Sequence, residues 1–170
     1  MVLSIDPGAA FGTGTHATTR MCLQLLENYI KGGTTMLDIG SGSGILSIAG
    51  VLLGAEKADG VDIDPVAVKV AAENAKLNNV QNKTNYILGD LCDKISEKYD
   101  VVCANIVADV IISLLENVEQ FMKETSVFIC SGIIDIREND VKSAFDKYGF
   151  KIIEDVECEN WRAFALKKRS

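Results

Sequence analysis

The sequence predicts an α/β fold in which seven strands form a doubly wound, mostly parallel sheet that ends in an antiparallel hairpin. Three observations predict this fold. Short apolar segments alternate with longer segments of helical periodicity along the chain. The strand-like segments are largely apolar, which is typical of parallel strands covered by helices on both faces. Only Glu159 and Asn160 separate the last two strand-like segments, and so short a connection favours antiparallel pairing.

The predicted elements follow one another without an evident linker after residue 30. We expect strands at residues 34–40, 57–64, 84–90, 99–106, 126–133, 150–158 and 161–168. We expect helices at residues 15–30, 45–54, 65–78, 108–122 and 137–148. Asp64 followed by Pro65 indicates a helix start, because aspartate is a good N-cap and proline suits the first helical position. The chain then divides into a loop and leading helix, residues 1–30, that pack on a domain of residues 31–170.

Composition and charge restrict the class of partner. Of the 170 residues 48% are hydrophobic, which is enough for a sizeable core, and no apolar run is long enough for a membrane span. The net charge is −7 and no basic stripe is present, so we expect no direct contact with nucleic acid. An acidic protein suits a cationic ligand or a basic protein partner.

The cysteine and histidine content indicates the compartment and argues against a metal. Five cysteines without a C-x-x-C pair, together with a single histidine, do not predict a zinc site. The odd number of cysteines and the absence of a signal sequence favour a reducing cytosol. We therefore expect a cytoplasmic protein that neither spans a membrane nor holds a metal.

The first predicted strand ends in a glycine loop. The stretch "LDIGSGSGIL" has glycines at 40, 42 and 44, and ligands of such sheets bind outside the carboxyl ends of the strands. A dinucleotide site would require G-x-G-x-x-G, and Ile45 stands where its third glycine would be. That departure counts against NAD or FAD. A tight turn without any ligand is the alternative interpretation.

Polar residues follow the next three strands. Asp62 lies 22 residues beyond Gly40, close to the spacing of a carboxylate that binds ribose hydroxyls. Asp90 either accepts a hydrogen bond from an adenine amino group or forms a turn. Asn105 both donates and accepts hydrogen bonds, so it either orients a nucleophile or caps the following helix.

Five stretches together carry a resemblance to a known family. They are "DPGAAFGTGTHATT", "LDIGSGSGILSIA", "GVDIDPVAV", "ANIVA" and "SGI", and the resemblance extends over nearly the whole chain. The chain resembles the class I S-adenosylmethionine-dependent methyltransferases, which are Rossmann-like, and among them the catalytic domain of the PrmA family. The resemblance implies S-adenosyl-L-methionine as cofactor. It assigns cofactor contacts to Thr19, Gly40, Asp62 and Asn105, and we expect Gly42, Ile63 and Asp90 to contact the cofactor beside them.

The same resemblance implies a reaction and a substrate. PrmA enzymes methylate lysine ε-amino groups, and also an N-terminal α-amino group, of a large-subunit ribosomal protein. Asn105 is then a catalytic residue that holds the amine, and His16 is a candidate general base with a structural role as the alternative. Phe11, Gly12 and Thr13 would line the substrate entrance. Family members carry an additional N-terminal domain that recognises the ribosomal protein, and we expect that domain to be absent from this chain.

Several alternatives share some of these features. A small-molecule amine N-methyltransferase, or a cofactor-binding module without catalysis, would keep the same glycine loop. Methyltransferases of DNA adenine or glutamine amides carry Asn-Pro-Pro-aromatic after the fourth strand, whereas this chain has "NIVA" from Asn105 onward. A dinucleotide oxidoreductase is disfavoured by Ile45.

Overall fold

A mixed sheet of seven strands is the centre of the computed structural model, which describes residues 2–6, 8, 14, 16–90 and 93–170. The strands are β1 (Thr35–Ile39), β2 (Lys57–Asp62), β3 (Thr84–Leu88), β4 (Tyr99–Asn105), β5 (Met122–Ile134), β6 (Phe150–Cys158) and β7 (Trp161–Lys168). The α-helices are α1 (Ala17–Tyr29), α2 (Ile45–Leu52), α3 (Pro65–Leu77), α4 (Ala108–Leu114) and α5 (Glu138–Lys147). Short 3₁₀ helices occupy Val118–Phe121 and Asp135–Arg137. No helix in these described ranges is long and apolar enough to cross a membrane.

The strand order is β3-β2-β1-β4-β5-β7-β6. Strands β1 to β5 pair in parallel with their neighbours, whereas β7 pairs antiparallel with both β5 and β6. The predicted fold class is therefore confirmed. Because the strand order reverses between β1 and β4, the carboxyl ends of these two strands flank the topological switch point, where open sheets of this kind bind ligands.

Helices cover both faces of the sheet. Neighbouring strand residues contribute to different hydrophobic clusters, as Phe128 and Ile129 do, because successive side chains of a strand point to opposite faces. Helices α1, α2 and α3 pack on the face of Ile129, and α4 and α5 pack on the face of Phe128. The leading helix α1 thus lies directly on the sheet through Met21, Leu25 and Leu26.

The structure corrects one predicted helix. Instead of continuing over residues 108–122, α4 ends at Leu114, and β5 begins at Met122, four residues earlier than expected. The hydroxyl of Ser126 explains the early strand, because it accepts from the Lys123 N–H at 2.7 Å and donates to the Tyr99 carbonyl at 2.5 Å. This bridge holds a β-bulge between β4 and β5.

Candidate active site

A cavity of about 790 Å³ opens at the switch point. Its walls come from the ends of β1, β2 and β4, from the starts of α1, α2 and α4, and from single residues of β5 and β7. Every predicted site residue within the described part of the chain lines this cavity: His16, Thr19, Gly40, Gly42, Asp62, Ile63, Asp90 and Asn105. The predicted entrance residues Phe11, Gly12 and Thr13 lie outside the described residues.

Asp62 is held in a fixed orientation by the backbone around it. One carboxylate oxygen accepts from the Gly42 N–H and the other from the Asp64 N–H, each at 2.9 Å. A carboxylate has about four acceptor sites, so each oxygen can still accept from a ligand hydroxyl. Asp64 caps α3 by accepting from the Val66 N–H at 2.9 Å, as the sequence predicts. Of these two neighbouring carboxylates, only that of Asp62 lines the cavity.

Asn105 lies at the end of β4 beside α1. Its side-chain amide donates to the hydroxyl of Thr19 across 3.4 Å, and Thr19 is buried. The alternative role of Asn105 as a helix cap is not observed, because Val107 occupies the N-cap position of α4 and no side chain caps that helix. Asn105 is therefore oriented by α1 and not by the helix that follows it.

His16 is the N-cap of α1. Its Nδ1 accepts from the Thr18 N–H at 3.2 Å and lies 2.8 Å from the Thr18 hydroxyl, while its ring meets the ring of Trp161 edge to face at 5.1 Å. A neutral imidazole has one basic nitrogen, and the helix uses it here. Because Nδ1 already caps the helix, this geometry supports the structural alternative more than the general base.

Sequence reasoning missed two buried polar side chains in the cavity wall. The Oδ2 atom of Asp38 and the hydroxyl of Ser41 are buried and have no hydrogen-bond partner among the described residues. The pKa of Asp38 is raised to about 7, chiefly by burial; a hydrogen bond from the backbone N–H of Ser47 opposes this rise, and the charge of Asp62 adds to it. Unsatisfied buried polar atoms are rare in folded proteins, and in a cavity wall they indicate a polar ligand. In the sequence, Asp38 could have been identified by its position just before the glycine loop.

Carboxylates are the main ionisable groups among the described residues of the cavity wall. Among the described lining residues the ionisable groups are four aspartates and His16, and no lysine or arginine is included. One of these carboxylates, Asp109, forms an ion pair with Arg137 at 2.6 Å, which lowers the pKa of Asp109. The remaining three are Asp38, Asp62 and Asp90. Such a wall disfavours a phosphate-bearing ligand and favours a cationic one.

Two asparagines of α3 hydrogen-bond to the N-terminal segment, and one of them also bonds to the glycine loop. Asn74 of α3 is buried, and its amide donates to the carbonyls of Asp6 and Ser43, while its Oδ1 accepts from the Asp6 N–H, all at 2.9 Å. One turn further on, Asn78 exchanges hydrogen bonds with the backbone of Ser4. Because Ser43 belongs to the glycine loop, Asn74 joins that loop directly to the N-terminal segment.

Comparison with known proteins agrees with this arrangement. Residues 1–169 match the family model described as ribosomal protein L11 methyltransferase (PrmA). The ribosomal protein L11 methyltransferase of Alkaliphilus oremlandii is 50% identical over 167 residues, which are 98% of this chain and 53% of that protein. The corresponding protein of Anoxybacillus flavithermus is 44% identical over 169 residues, which are 99% of this chain and 54% of that protein.

A solved structure of a relative has the same fold as this chain. The ribosomal protein L11 methylase of Lactobacillus delbrueckii subsp. bulgaricus superposes with a TM-score of 0.92 at 30% identity, over 98% of this chain and 84% of that one. The chain spans about half the length of the curated relatives it matches. From the family match and these relatives together, the chain belongs to the ribosomal protein L11 methyltransferase (PrmA) family.

Proposed function

We propose that this chain binds S-adenosyl-L-methionine and transfers its methyl group to amino groups of a large-subunit ribosomal protein. The acceptors are lysine ε-amino groups and an N-terminal α-amino group. Family membership supports the reaction class. The observation that carries the proposal is the cavity wall, which offers carboxylates and, among its described residues, no lysine or arginine. A sulfonium cofactor is a cation, so it is favoured there.

The residues present fit this cofactor. The orphaned Asp38 Oδ2 and Ser41 hydroxyl suit an ammonium or carboxylate group of the methionyl part. The oriented Asp62 carboxylate suits the two ribose hydroxyls. Ile63 is 67% exposed and would give an adenine ring an apolar surface beside Asp90.

The chain's own residues contribute positioning and exclusion of water. S-adenosylmethionine, when bound, supplies a methyl group already activated for displacement by its sulfonium. We assign Asn105 Oδ1 to accept a hydrogen bond from the acceptor amine, with the amide nitrogen held by Thr19. Such orientation supplies much of the rate in a displacement of this kind. His16 remains a candidate base whose capping role competes with proton uptake.

The acceptor amine must be uncharged before it attacks. A lysine amine has a pKa of about 10.4 in water. The apolar side chains of Ile45, Leu46, Ile106, Val107 and Val110 line the cavity. Desolvation by such a wall disfavours the ammonium form, so the amine loses its proton to water at the mouth of the cavity as it enters.

We also propose how the acceptor protein is selected. The chain is acidic, with a net charge of −7, and this charge complements a basic ribosomal protein. We infer that Phe11, Gly12 and Thr13 line the entrance, and that the part of the longer relatives outside the match carries further substrate recognition. The corresponding site of action is the cytoplasm.

A binding experiment tests the cofactor assignment. We expect calorimetry to show binding of S-adenosylhomocysteine by the wild type, and no binding of NAD. Asp62→Ala removes both carboxylate acceptors and should weaken S-adenosylhomocysteine binding at least about tenfold, as expected for hydrogen bonds to a charged group. Asp64→Asn is the matched control, since asparagine caps a helix as well as aspartate does. Binding of NAD without S-adenosylhomocysteine would reject the proposal.

A transfer experiment tests the substrate. Labelled methyl transfer to purified ribosomal protein L11 is compared with transfer to free lysine and simple amines, using this chain and a full-length relative of the family. Transfer to the ribosomal protein alone supports the proposal. Transfer only to the free amines indicates a small-molecule N-methyltransferase, and cofactor binding without any transfer indicates a non-catalytic module.

A further inference from the structure

Ile106, the residue after Asn105, lies between two glycines of the neighbouring strands. A Cβ atom on Gly40, at the end of β1, would lie 2.8 Å from Cγ2 of Ile106. A Cβ atom on Gly132, in β5, would lie 2.3 Å from the carbonyl oxygen of Ile106 and 2.8 Å from its carbonyl carbon. Both glycines have a left-handed backbone, with φ of +72° and +86°, and both line the cavity. We call Gly40, Ile106 and Gly132 the Ile106 seat.

An irregularity in β5 places Gly132 in the seat. The Ile106 N–H donates to the Ser131 carbonyl at 3.1 Å, which continues the parallel pairing of Asn105 with Ser131. On its other side β5 loses register with β7 between Cys130 and Ile133, and the Ser131 hydroxyl donates instead to the Arg162 carbonyl at 3.0 Å. Bulges of this kind recur next to active sites, where they redirect the chain.

The two sides of the seat differ in how they would respond to a larger residue. At Gly40 the obstacle is a side-chain methyl group, which can rotate away. At Gly132 the obstacle is the peptide group of Ile106, so the backbone itself must move. That peptide group joins Ile106 to Val107, one residue beyond Asn105, and the 3.4 Å contact between Asn105 and Thr19 is already at the limit of a hydrogen bond.

We propose that Gly132 is a positioning residue for methyl transfer: the absence of a side chain there lets the Ile106 peptide pack closely enough to aim the Asn105 amide into the cavity. The expected effect of Gly132 on methyl transfer rests on the proposed function. Its expected effect on the orientation of Asn105 rests only on the contacts of the Ile106 seat. Gly132 contacts neither the cofactor nor the acceptor amine, and it acts through Asn105.

The chain offers a matched control for backbone strain. Gly33 has φ of +83°, nearly that of Gly132, and its Cβ would meet nothing within 4 Å. Gly33→Ala therefore imposes the same unfavourable φ without a collision. Gly32→Ala adds a methyl group in open space without positive φ. Comparing the three variants separates the collision at Gly132 from the strain that any alanine would suffer there.

The kinetic test measures kcat, KM for the ribosomal protein, and the dissociation constant of S-adenosylhomocysteine. We expect Gly132→Ala to lower kcat about 100-fold, the effect of a misplacement of about 1 Å, with S-adenosylhomocysteine affinity within about threefold of wild type. Gly33→Ala and Gly32→Ala should keep kcat. If Gly132 only stabilised the fold, its variant would lose thermal stability while the folded fraction kept its kcat, and that result would overturn the proposal.

A spectroscopic test keeps the inference separate from the proposed function. The side-chain amide of Asn105 is located in ¹⁵N spectra as the pair lost in Asn105→Asp. We expect that pair to shift in Gly132→Ala and to stay in place in Gly33→Ala. If the wild type transfers no methyl group, the proposed function fails, yet the amide shift still decides the role of the seat. An unmoved Asn105 amide in folded Gly132→Ala would overturn it.

A second variant covers the case in which Gly132→Ala does not fold. Ile106→Ala removes the methyl group that fills the space over Gly40 and leaves the backbone intact. We expect a looser seat, a shifted Asn105 amide and a kcat about tenfold lower, with S-adenosylhomocysteine affinity unchanged. Wild-type kcat together with an unmoved amide in this variant would contradict the proposal.

Discussion

Asp38 makes stability depend on pH in a calculable way. Its carboxyl group is 1% exposed, and burial raises its pKa from 3.8 to about 7. The folded state therefore binds this proton more tightly than the unfolded state does. The difference of about 3 pKa units corresponds to about 4 kcal/mol, at 1.36 kcal/mol per unit. This cost is absent below pH 3.8, grows as the pH rises to about 7, and is constant above it.

The Asp38→Asn variant removes the titration and keeps the shape. Its side-chain oxygen can still accept from the Ser47 N–H, and it has no charge to bury. We expect urea unfolding to show a free energy difference between variant and wild type that rises by about 4 kcal/mol from pH 4 to pH 8, in favour of the variant. Other titrating groups cancel in this difference. A difference that stays constant across that range would refute the reasoning.

Three further outcomes are expected. A cationic ligand beside Asp38 should release about half a proton on binding at pH 7, which calorimetry in buffers of different ionisation enthalpy measures. Asn74→Ala should cost about 3 kcal/mol of unfolding free energy in urea, because one buried and two part-buried hydrogen bonds are lost. Asn78→Ala should cost less, because the hydrogen bonds of Asn78 to Ser4 are exposed. His16→Ala should cost about 1 kcal/mol as a lost cap and leave kcat within tenfold; a 100-fold loss would instead show a general base.

The sequence predicted which residues line the cavity where those residues follow the ends of strands. Asp62 and Asn105 each follow a buried parallel strand, and the carboxyl ends of such strands meet at one edge of the sheet. Their convergence on one cavity therefore follows from strand order, which the alternation of elements already indicates. Their roles toward cofactor and substrate remain predictions, because position in the cavity does not measure binding.

Other site residues depend on features that no local pattern contains. Trp161 stands at the start of an antiparallel strand, so it reaches the cavity from the opposite strand end. Gly132 lies inside β5, and its place beside Ile106 depends on the loss of register between β5 and β7. The importance of Asp38 depends on complete burial, which is a property of the assembled cavity.

The misplaced end of α4 has a similar cause. Val118 and Phe121 continue the apolar spacing of Ile111 and Leu114, so periodicity alone extends the helix. In the structure these residues are buried by a 3₁₀ turn against the sheet. Tertiary packing of the turn, together with the Ser126 bridge, decided the boundary.

The place of β7 between β5 and β6 has a consequence for synthesis. A ribosome synthesises β6 before β7, but in the sheet β6 pairs only with β7. The edge of β5 is likewise unpaired until β7 is added beside it. A chain that has left the ribosome only as far as Asn160 therefore exposes the edge of β5 and an unpaired β6. Unpaired strand edges of this kind are templates for aggregation. The sheet is complete only after β7 has been synthesised and has left the ribosome.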